Sequence, residues 1–211
     1  MERFTQESVK RPMKEEEAEG RRQKYLVVIN PVSRGGKAIK EGLWLLKQMG
    51  RLGINHETFI TENPGHAEDI VKRWVEQVDV VVAVGGDGTV NEILNGMMSS
   101  KGCEKTLAVF PAGTADEYCH NVGVPRDRNR ALDILLTDNS RRIDLIKWND
   151  RYAIVQVGVG RRGSRVQRPA LQDGEVYKYA AGEKLELSMV RDGLKVSVPR
   201  KPPDPPPFVK C

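Results

Sequence analysis

Three short runs of apolar, mostly β-branched residues restrict the fold of this chain more than any other feature: YLVVI at 25–29, DVVVAV at 79–84 and TLAVF at 106–110. Each is largely continuous rather than alternating, the pattern of a strand buried on both faces of a sheet. Helical patterns lie between them. After the Pro-Gly break and acidic turn of TENPGHAED, Ala67, Ile70, Val71, Trp74, Val75 and Val78 recur at helical spacing. Behind the second run Val90, Ile93, Leu94, Met97 and Met98 share a face, and behind the first run Ile39, Leu43 and Leu46 do so. INHETFI supplies a further strand. Strands alternating with helices in this way predict right-handed βαβ units, hence an α/β fold with a parallel sheet and helices on both faces. Ligands of such sheets bind outside the carboxyl ends of the strands. The loops at 30–37, 85–89 and 111–116 would meet there.

The pattern changes after a short helix around Ala131–Leu136. RRIDLIKW and RYAIVQVGV read as two strands joined at Asn149-Asp150, a hairpin signal that opens a short, partial β-rich second domain. A strand or short helix at KLELSM and a strand at LKVSV follow. The resulting division is a flexible charged arm at 1–24, an α/β domain at 25–140, the β-rich region at 141–198 and a proline-rich tail at 199–211.

Composition narrows the function classes. Of 211 residues, 39% are hydrophobic and 30% charged, and no run approaches the ~20 apolar residues of a membrane span. The N-terminus lacks the apolar core of a signal peptide, which predicts a cytoplasmic protein. Cys103, Cys119 and Cys211 have neither CxxC spacing nor an even count, so neither a disulfide framework nor a zinc site is expected. His56, His66 and His120 have no metal-ligand spacing. The net charge of +5 suits a phosphate-bearing ligand or an anionic membrane surface. Part of it lies in RRGSRVQR at 161–168, where no aromatic residues interleave as a single-strand nucleic-acid groove requires, and no nucleic-acid partner is expected.

The segment VAVGGDGTVNE at 82–92 poses the chemical question. Glycines between a buried strand and a helix let backbone N–H groups approach an anion, yet Asp87 at the centre repels one. Either the loop is a plain Asp-Gly turn, or a cation or a proton-bearing substrate mediates between carboxylate and phosphate. The segment fits neither the P-loop pattern nor the dinucleotide fingerprint. NPVSRGGK at 30–37 combines a hydroxyl, glycines and an ammonium group suited to phosphate. PAGTADEY at 111–118 reads as a turn into a helix that Thr114 would cap.

Taken together and in this order, these segments resemble the diacylglycerol kinase catalytic domain family, which includes bacterial lipid kinases and sphingosine and ceramide kinases. NPVSRGGK is similar to the family's NPxSGxxK segment, GHAED to its GHA segment, GGDGTVNEILNGM to its most diagnostic motif and PAGTADEY to its P-x-GT-x-N segment, over roughly residues 25–160. NAD kinases share a GGDGT loop, but NEILNG and PAGT resemble the lipid-kinase branch more closely. The resemblance implies a nucleotide-binding α/β domain that uses ATP and Mg²⁺ to phosphorylate a lipid hydroxyl, diacylglycerol by default, at a membrane surface reached peripherally. Self-association is compatible with it.

By the same resemblance Asn30, Ser33, Lys37, Thr61, Gly85, Gly86, Gly88, Thr89, Asn91, Glu92, Gly113 and Thr114 are candidate nucleotide contacts. Asp87 is the catalytic candidate, as Mg²⁺ ligand or as the base that takes the lipid hydroxyl's proton. Glu92 reads equally well as a solvated helix residue. Several positions depart from the family pattern. Arg34-Gly35 and GVGRRGSRV differ from it, and Ala115-Asp116 replace the usual Gly-Asn, where a carboxylate cannot donate the hydrogen bonds of an amide. The family's second domain is much longer and carries an acidic residue that neither Asp173 nor Asp192 clearly matches. A truncated, non-catalytic nucleotide-binding or interaction module is therefore the rival reading.

Overall fold

The computed structural model describes residues 23–137, 139–154, 156–159, 164–167, 176–178 and 184–198. Most of the charged arm, the proline-rich tail, Asp173 and the ends of RRGSRVQR lie outside the described residues.

Four parallel strands form one half of the principal sheet: β1 (Tyr25–Ile29), β2 (His56–Ile60), β3 (Val80–Gly85) and β4 (Thr106–Pro111), in the spatial order β2-β1-β3-β4. Leu26 to Ile29 and Val81 to Val84 are fully buried, as continuous apolar runs require. The helices are α1 (Ser33–Gly36), a single turn, α2 (Ala38–Arg51), α3 (His66–Trp74), α4 (Asp87–Met98), α5 (Glu117–Val122) and α6 (Arg128–Leu136). Trp44 of α2 stacks on Phe110 of β4, and Arg128 of α6 lies over Trp44, so α2 and α6 cover one face. The pair α3 and α4 packs together on the other. The chain passes from β1 outward to β2, then back across β1 to β3, which puts a topological switch point between β1 and β3.

The β-rich stretch continues the same sheet. β5 (Ser140–Trp148) and β6 (Arg151–Ala153) form the hairpin expected at Asn149-Asp150. β7 (Gln156–Val159) and β8 (Ser164–Gln167) make a separate two-stranded ribbon, and β9 (Val176–Lys178) pairs with β10 (Lys184–Ser197). RYAIVQVGV is therefore two strands in two sheets rather than one. β10 runs between β4 and β5, parallel to the first and antiparallel to the second. KLELSM and LKVSV, read separately from the sequence, are the two halves of this strand. The Asp-Gly between them makes a bulge: the register shifts between Val190 and Leu194, Asp192 has φ 47°, and its N–H donates to Asp144 Oδ1 at 3.0 Å.

The buried face of α2 matches the expected one only in part: Ile39 and Leu46 pack partly buried against the core, but Leu43 is 56% exposed, and Ala38, Gly42, Leu45 and Met49 face the sheet. A Cβ on Gly42 would lie 2.8 Å from Ile29 Cδ1, so the helix lies close against β1 along a small residue. On α4 the expected Val90, Ile93, Leu94 and Met97 are buried, with Met98 partly so.

Candidate functional site

The loops after β1, β3 and β4 do converge. Asn30 continues the pairing of β1 with β3 through its N–H to Val84 O at 2.9 Å. Its side chain then bridges two loops, accepting from Val32 N–H at 3.2 Å and donating to Thr89 Oγ1 at 2.9 Å. Arg34, Gly35 and Gly36 all have positive φ and turn the chain sharply into α2. At Gly113 the second and third loops nearly touch: a Cβ there would lie 2.5 Å from Gly86 Cα and 2.5 Å from Asp116 Oδ1. A Cβ on Gly86 would make ordinary contact with Gly113 Cα and Ser33 Oγ, both at 3.4 Å, and one on Gly88 would meet nothing within 4 Å. Gly85 ends β3 beneath Thr89.

Asp87 opens α4 and reaches across to α5. Its Oδ1 accepts from Tyr118 N–H at 3.0 Å and its Oδ2 from Glu117 N–H at 3.3 Å. The carboxylate thus caps the start of a neighbouring helix and holds the second loop to the third. Thr114 is exposed and does not cap α5; Asp116 stands at its N-cap position in a left-handed conformation, φ 52°. Asp116 is buried, accepts from Gly113 N–H at 2.8 Å and faces Arg126 Nε at 3.6 Å. Arg126 also donates to the carbonyls of Thr114 and Ala115 at 2.8 and 2.7 Å. Burial pushes the Asp116 carboxyl above its ordinary range, the Asp87 charge adds to this, and Gly113 N–H and Arg126 oppose it. Burial, aided by the same two carboxylates, raises the Cys119 thiol to about 12.

Two cavities of about 170 Å³ each adjoin α4. One is lined by Asn30, Val32, Thr61, Ala67, Thr89 and Glu92. Thr61 is buried there, its N–H bonded to Ile29 O, and Glu92 Oε2 accepts from Ala67 N–H at the start of α3. The other takes its polar lining from Asp87, Asn91 and Glu117 and its apolar wall from Val90, Tyr118, Ala153 and Ile154. At about 100° per residue, Thr89 and Glu92 point from one face of α4, and Asp87, Val90 and Asn91 from the opposite one. The candidates therefore divide: Asn30, Thr61, Thr89 and Glu92 share the first cavity, Asp87 and Asn91 the second, and Ser33, Gly85, Gly86 and Gly113 form the junction between loops. Lys37 and Thr114 line neither cavity. Sequence reasoning missed Glu117, Tyr118, Ala153 and Ile154. Glu117 had a signal, an acid inside PAGTADEY, but the others are ordinary apolar or aromatic residues that only the fold brings to the site.

No group of three or more His, Cys, Asp or Glu able to hold a metal occurs among the described residues. A magnesium ion that keeps its waters and draws on substrate phosphates needs only one or two carboxylates. Each Asp87 oxygen accepts one N–H and retains a lone pair, so this residue fits such an ion.

The chain matches the diacylglycerol kinase catalytic domain over residues 24–148. It is 33% identical over 135 residues to a diacylglycerol kinase of Staphylococcus saprophyticus, covering 63% of this chain and 44% of that protein. It is 28% identical over 147 residues to YegS of Salmonella arizonae, named as a probable lipid kinase, covering 67% and 47% of the two. A diacylglycerol kinase structure from Bacillus anthracis Sterne superposes with TM-score 0.59 at 25% identity over 65% of this chain and 48% of that one. Another structure from the same strain reaches TM-score 0.68 over 84% of this chain and 97% of that one, a likeness of fold alone at 14% identity. The chain spans less than half the length of the curated relatives it matches. With the GGDGT, NPxS and PxGT segments gathered at the switch point of a parallel sheet, and the family match extending over more than half its residues, the chain belongs to the diacylglycerol kinase catalytic domain family.

Proposed function

We propose that this chain carries out lipid phosphorylation, moving the γ-phosphate of ATP to a lipid hydroxyl with diacylglycerol as the default acceptor. The observation that carries this reading is the division of α4 into two cavity-lining faces with the glycine junction at its N-terminus. ATP enters the side of Asn30, Thr61, Thr89 and Glu92, with its phosphates over Gly86 and Gly88 at the helix N-terminus. The acceptor's hydroxyl end enters the second cavity, whose apolar wall suits the first carbons of a lipid. Asp87 faces this second cavity and takes the proton of the attacking hydroxyl, while the N–H groups of Glu117 and Tyr118 fix its orientation. In the alternative role Asp87 would instead hold Mg²⁺, which would neutralise phosphate charge. The protein reaches its acceptor peripherally at an anionic membrane surface, and no helix among the described residues is long and apolar enough to cross a membrane.

The test is Mg²⁺-dependent transfer of labelled γ-phosphate from ATP to a mixed lipid extract on anionic vesicles, at low and high salt, beside Asp87→Asn. General-base loss predicts a fall of ~10²–10⁴-fold. The variant keeps one acceptor oxygen for α5 and turns an NH2 towards its other N–H, so it should lose about 1–3 kcal/mol of stability, and transfer is compared on protein shown to be folded. Near-normal turnover would remove Asp87 from the chemistry, and transfer unaffected by lipid charge or salt would remove the membrane surface.

A second reading, a nucleotide-binding module without transfer, is favoured by one feature: both Asp87 oxygens already serve as caps for α5. ATP binding with no labelled lipid would select it.

A further inference from the structure

The family motif at 85–97 ends in an Asn-Gly pair that the proposed chemistry leaves unused. Asn95 lies two turns beyond Asp87 on α4, about 12 Å along the helix, and is 2% exposed. Its side chain faces the edge of the sheet. Nδ2 donates to Tyr152 O at 3.0 Å, and Oδ1 accepts from Tyr152 N–H at 2.9 Å. Nδ2 also donates to Asn91 O at 2.7 Å. Among the described residues β6 is the last strand in the sheet order and pairs with β5 on one side only. On the other side, the N–H and C=O of Tyr152 meet a helix, whose own backbone groups are already used within it. The carboxamide stands in for the missing strand. Asparagine suits the position chemically: aspartate has no donor, and serine offers one atom where the peptide needs two.

A second tie comes from α3, where Glu68 Oε2 accepts from Arg151 Nη1 at 2.7 Å. The neighbouring Gly96 lets α4 lie directly on α3, since a Cβ there would sit 2.7 Å from Glu68 O and 2.8 Å from Val71 Cβ. Residues 151 and 152 are thus fastened to the α3–α4 pair. The next two residues, Ala153 and Ile154, form part of the apolar wall of the cavity that Asp87 lines, with Val90 and Tyr118.

We propose that Asn95 is a positioning residue for the acceptor: by registering β6 against α4 it sets the width of the cavity between Asp87 and the Ala153–Ile154 wall. The inference rests on the assignment of that cavity to the acceptor. Glu92 and Thr89 project from the side of α4 opposite Asp87, and Ala153 and Ile154 line only the acceptor cavity, so the effect should reach the acceptor and spare the nucleotide.

The experiment compares the wild-type chain with Asn95→Ala and Asn95→Asp, using ATP and dioctanoylglycerol in mixed micelles, with KM measured for each substrate. Amide exchange at Tyr152 is followed separately without substrate. Loss of a buried polar pairing predicts about tenfold or greater change: a raised KM for dioctanoylglycerol, a KM for ATP within about twofold, and faster exchange at Tyr152. If Asn95→Ala does not fold, Arg151→Ala cuts the other tie at a partly exposed position and should raise the acceptor KM in the same direction. An unchanged acceptor KM, or equal rises for both substrates, would overturn the proposal. A wild-type chain that transfers no phosphate would instead fail the parent reading. Tyr152 exchange in Asn95→Ala then decides by itself whether the side chain holds the strand, and unchanged exchange refutes that.

Discussion

Replacing Arg126 with alanine should cost far more when residue 116 is aspartate than when it is asparagine. The Asp116 side chain is 4% exposed and that of Arg126 62%, with 3.6 Å between Oδ2 and Nε. Coulomb's law at an effective dielectric of 20 gives about 4.6 kcal/mol for that separation, and bulk water about 1.2. The guanidinium stands mostly in water, so screening draws the pair towards the lower figure. The carbonyls of Thr114 and Ala115 belong to exposed residues, where water can replace their lost donor. Leaving the buried carboxylate without its counter-charge brings the expected loss for Arg126→Ala to about 1–3 kcal/mol. In an Asp116→Asn background the charge is gone and an oxygen remains for Gly113 N–H, so the same substitution should cost at most about 1 kcal/mol. Urea unfolding of the four proteins of this double-mutant cycle measures the difference, each kcal/mol also shifting the thermal midpoint by about 2–4 °C at this size.

The pH dependence has a definite sign. Burial raises the Asp116 carboxyl in the folded state, so its stabilising contribution is complete below its ordinary 3.8 and is lost as pH rises through the folded value. Asparagine does not titrate, and the stability of Asp116→Asn relative to the parent should therefore increase with pH across that window. Equal costs of Arg126→Ala in both backgrounds, or a variant that loses ground as pH rises, would refute this account of the third loop.

Two further outcomes follow from the same contacts. Gly113→Ala should destabilise by about 1–3 kcal/mol and weaken ATP binding, because the new methyl group must push the second and third loops apart; calorimetric titration with ATP and urea unfolding check both. Cys119, buried with its thiol at about 12, should resist iodoacetamide at pH 8 in the native protein and react once the chain is unfolded in urea, which mass spectrometry of the labelled peptide will show.

The parallel half of the sheet was legible because its inner strands are buried on both faces, and YLVVI, DVVVAV and TLAVF announce this without reference to the rest of the chain. The buried face of α2 was legible only in part. Of Ile39, Leu43 and Leu46 the first and last pack partly buried and Leu43 is exposed, while Leu45 and Met49 were passed over, as were Ala38 and Gly42, along which the helix approaches β1 because they are small. The two halves of β10 read as separate elements because Asp192-Gly193 is a turn signal, and only pairing with β5 on both sides of it turns the signal into a bulge. At the site, glycines and small polar residues marked the three loops correctly. What local patterns could not reveal is how those loops are fastened: Asp87 to the N–H groups of residues 117 and 118, Asp116 to Arg126, Asn95 to Tyr152. Each joins residues brought together by the fold, and no periodicity records it.

The position of β10 has a consequence for how the molecule assembles. It is the last described strand, yet it is inserted between β4 and β5 rather than added at an edge. The first four strands and their helices can form from mostly near-neighbour contacts, but β4 then presents an open edge until Lys195 and Val196 arrive to pair with Thr106 and Leu107. At about 5–20 residues per second on the ribosome this gap lasts on the order of ten seconds. During that interval the hydrogen-bonding groups of β4 are available to any extended segment, including another nascent copy. Closure is a long-range pairing, slow by nature. Recovery of native protein should therefore depend on the arrival of β10 more than on the stability of the nucleotide-side loops.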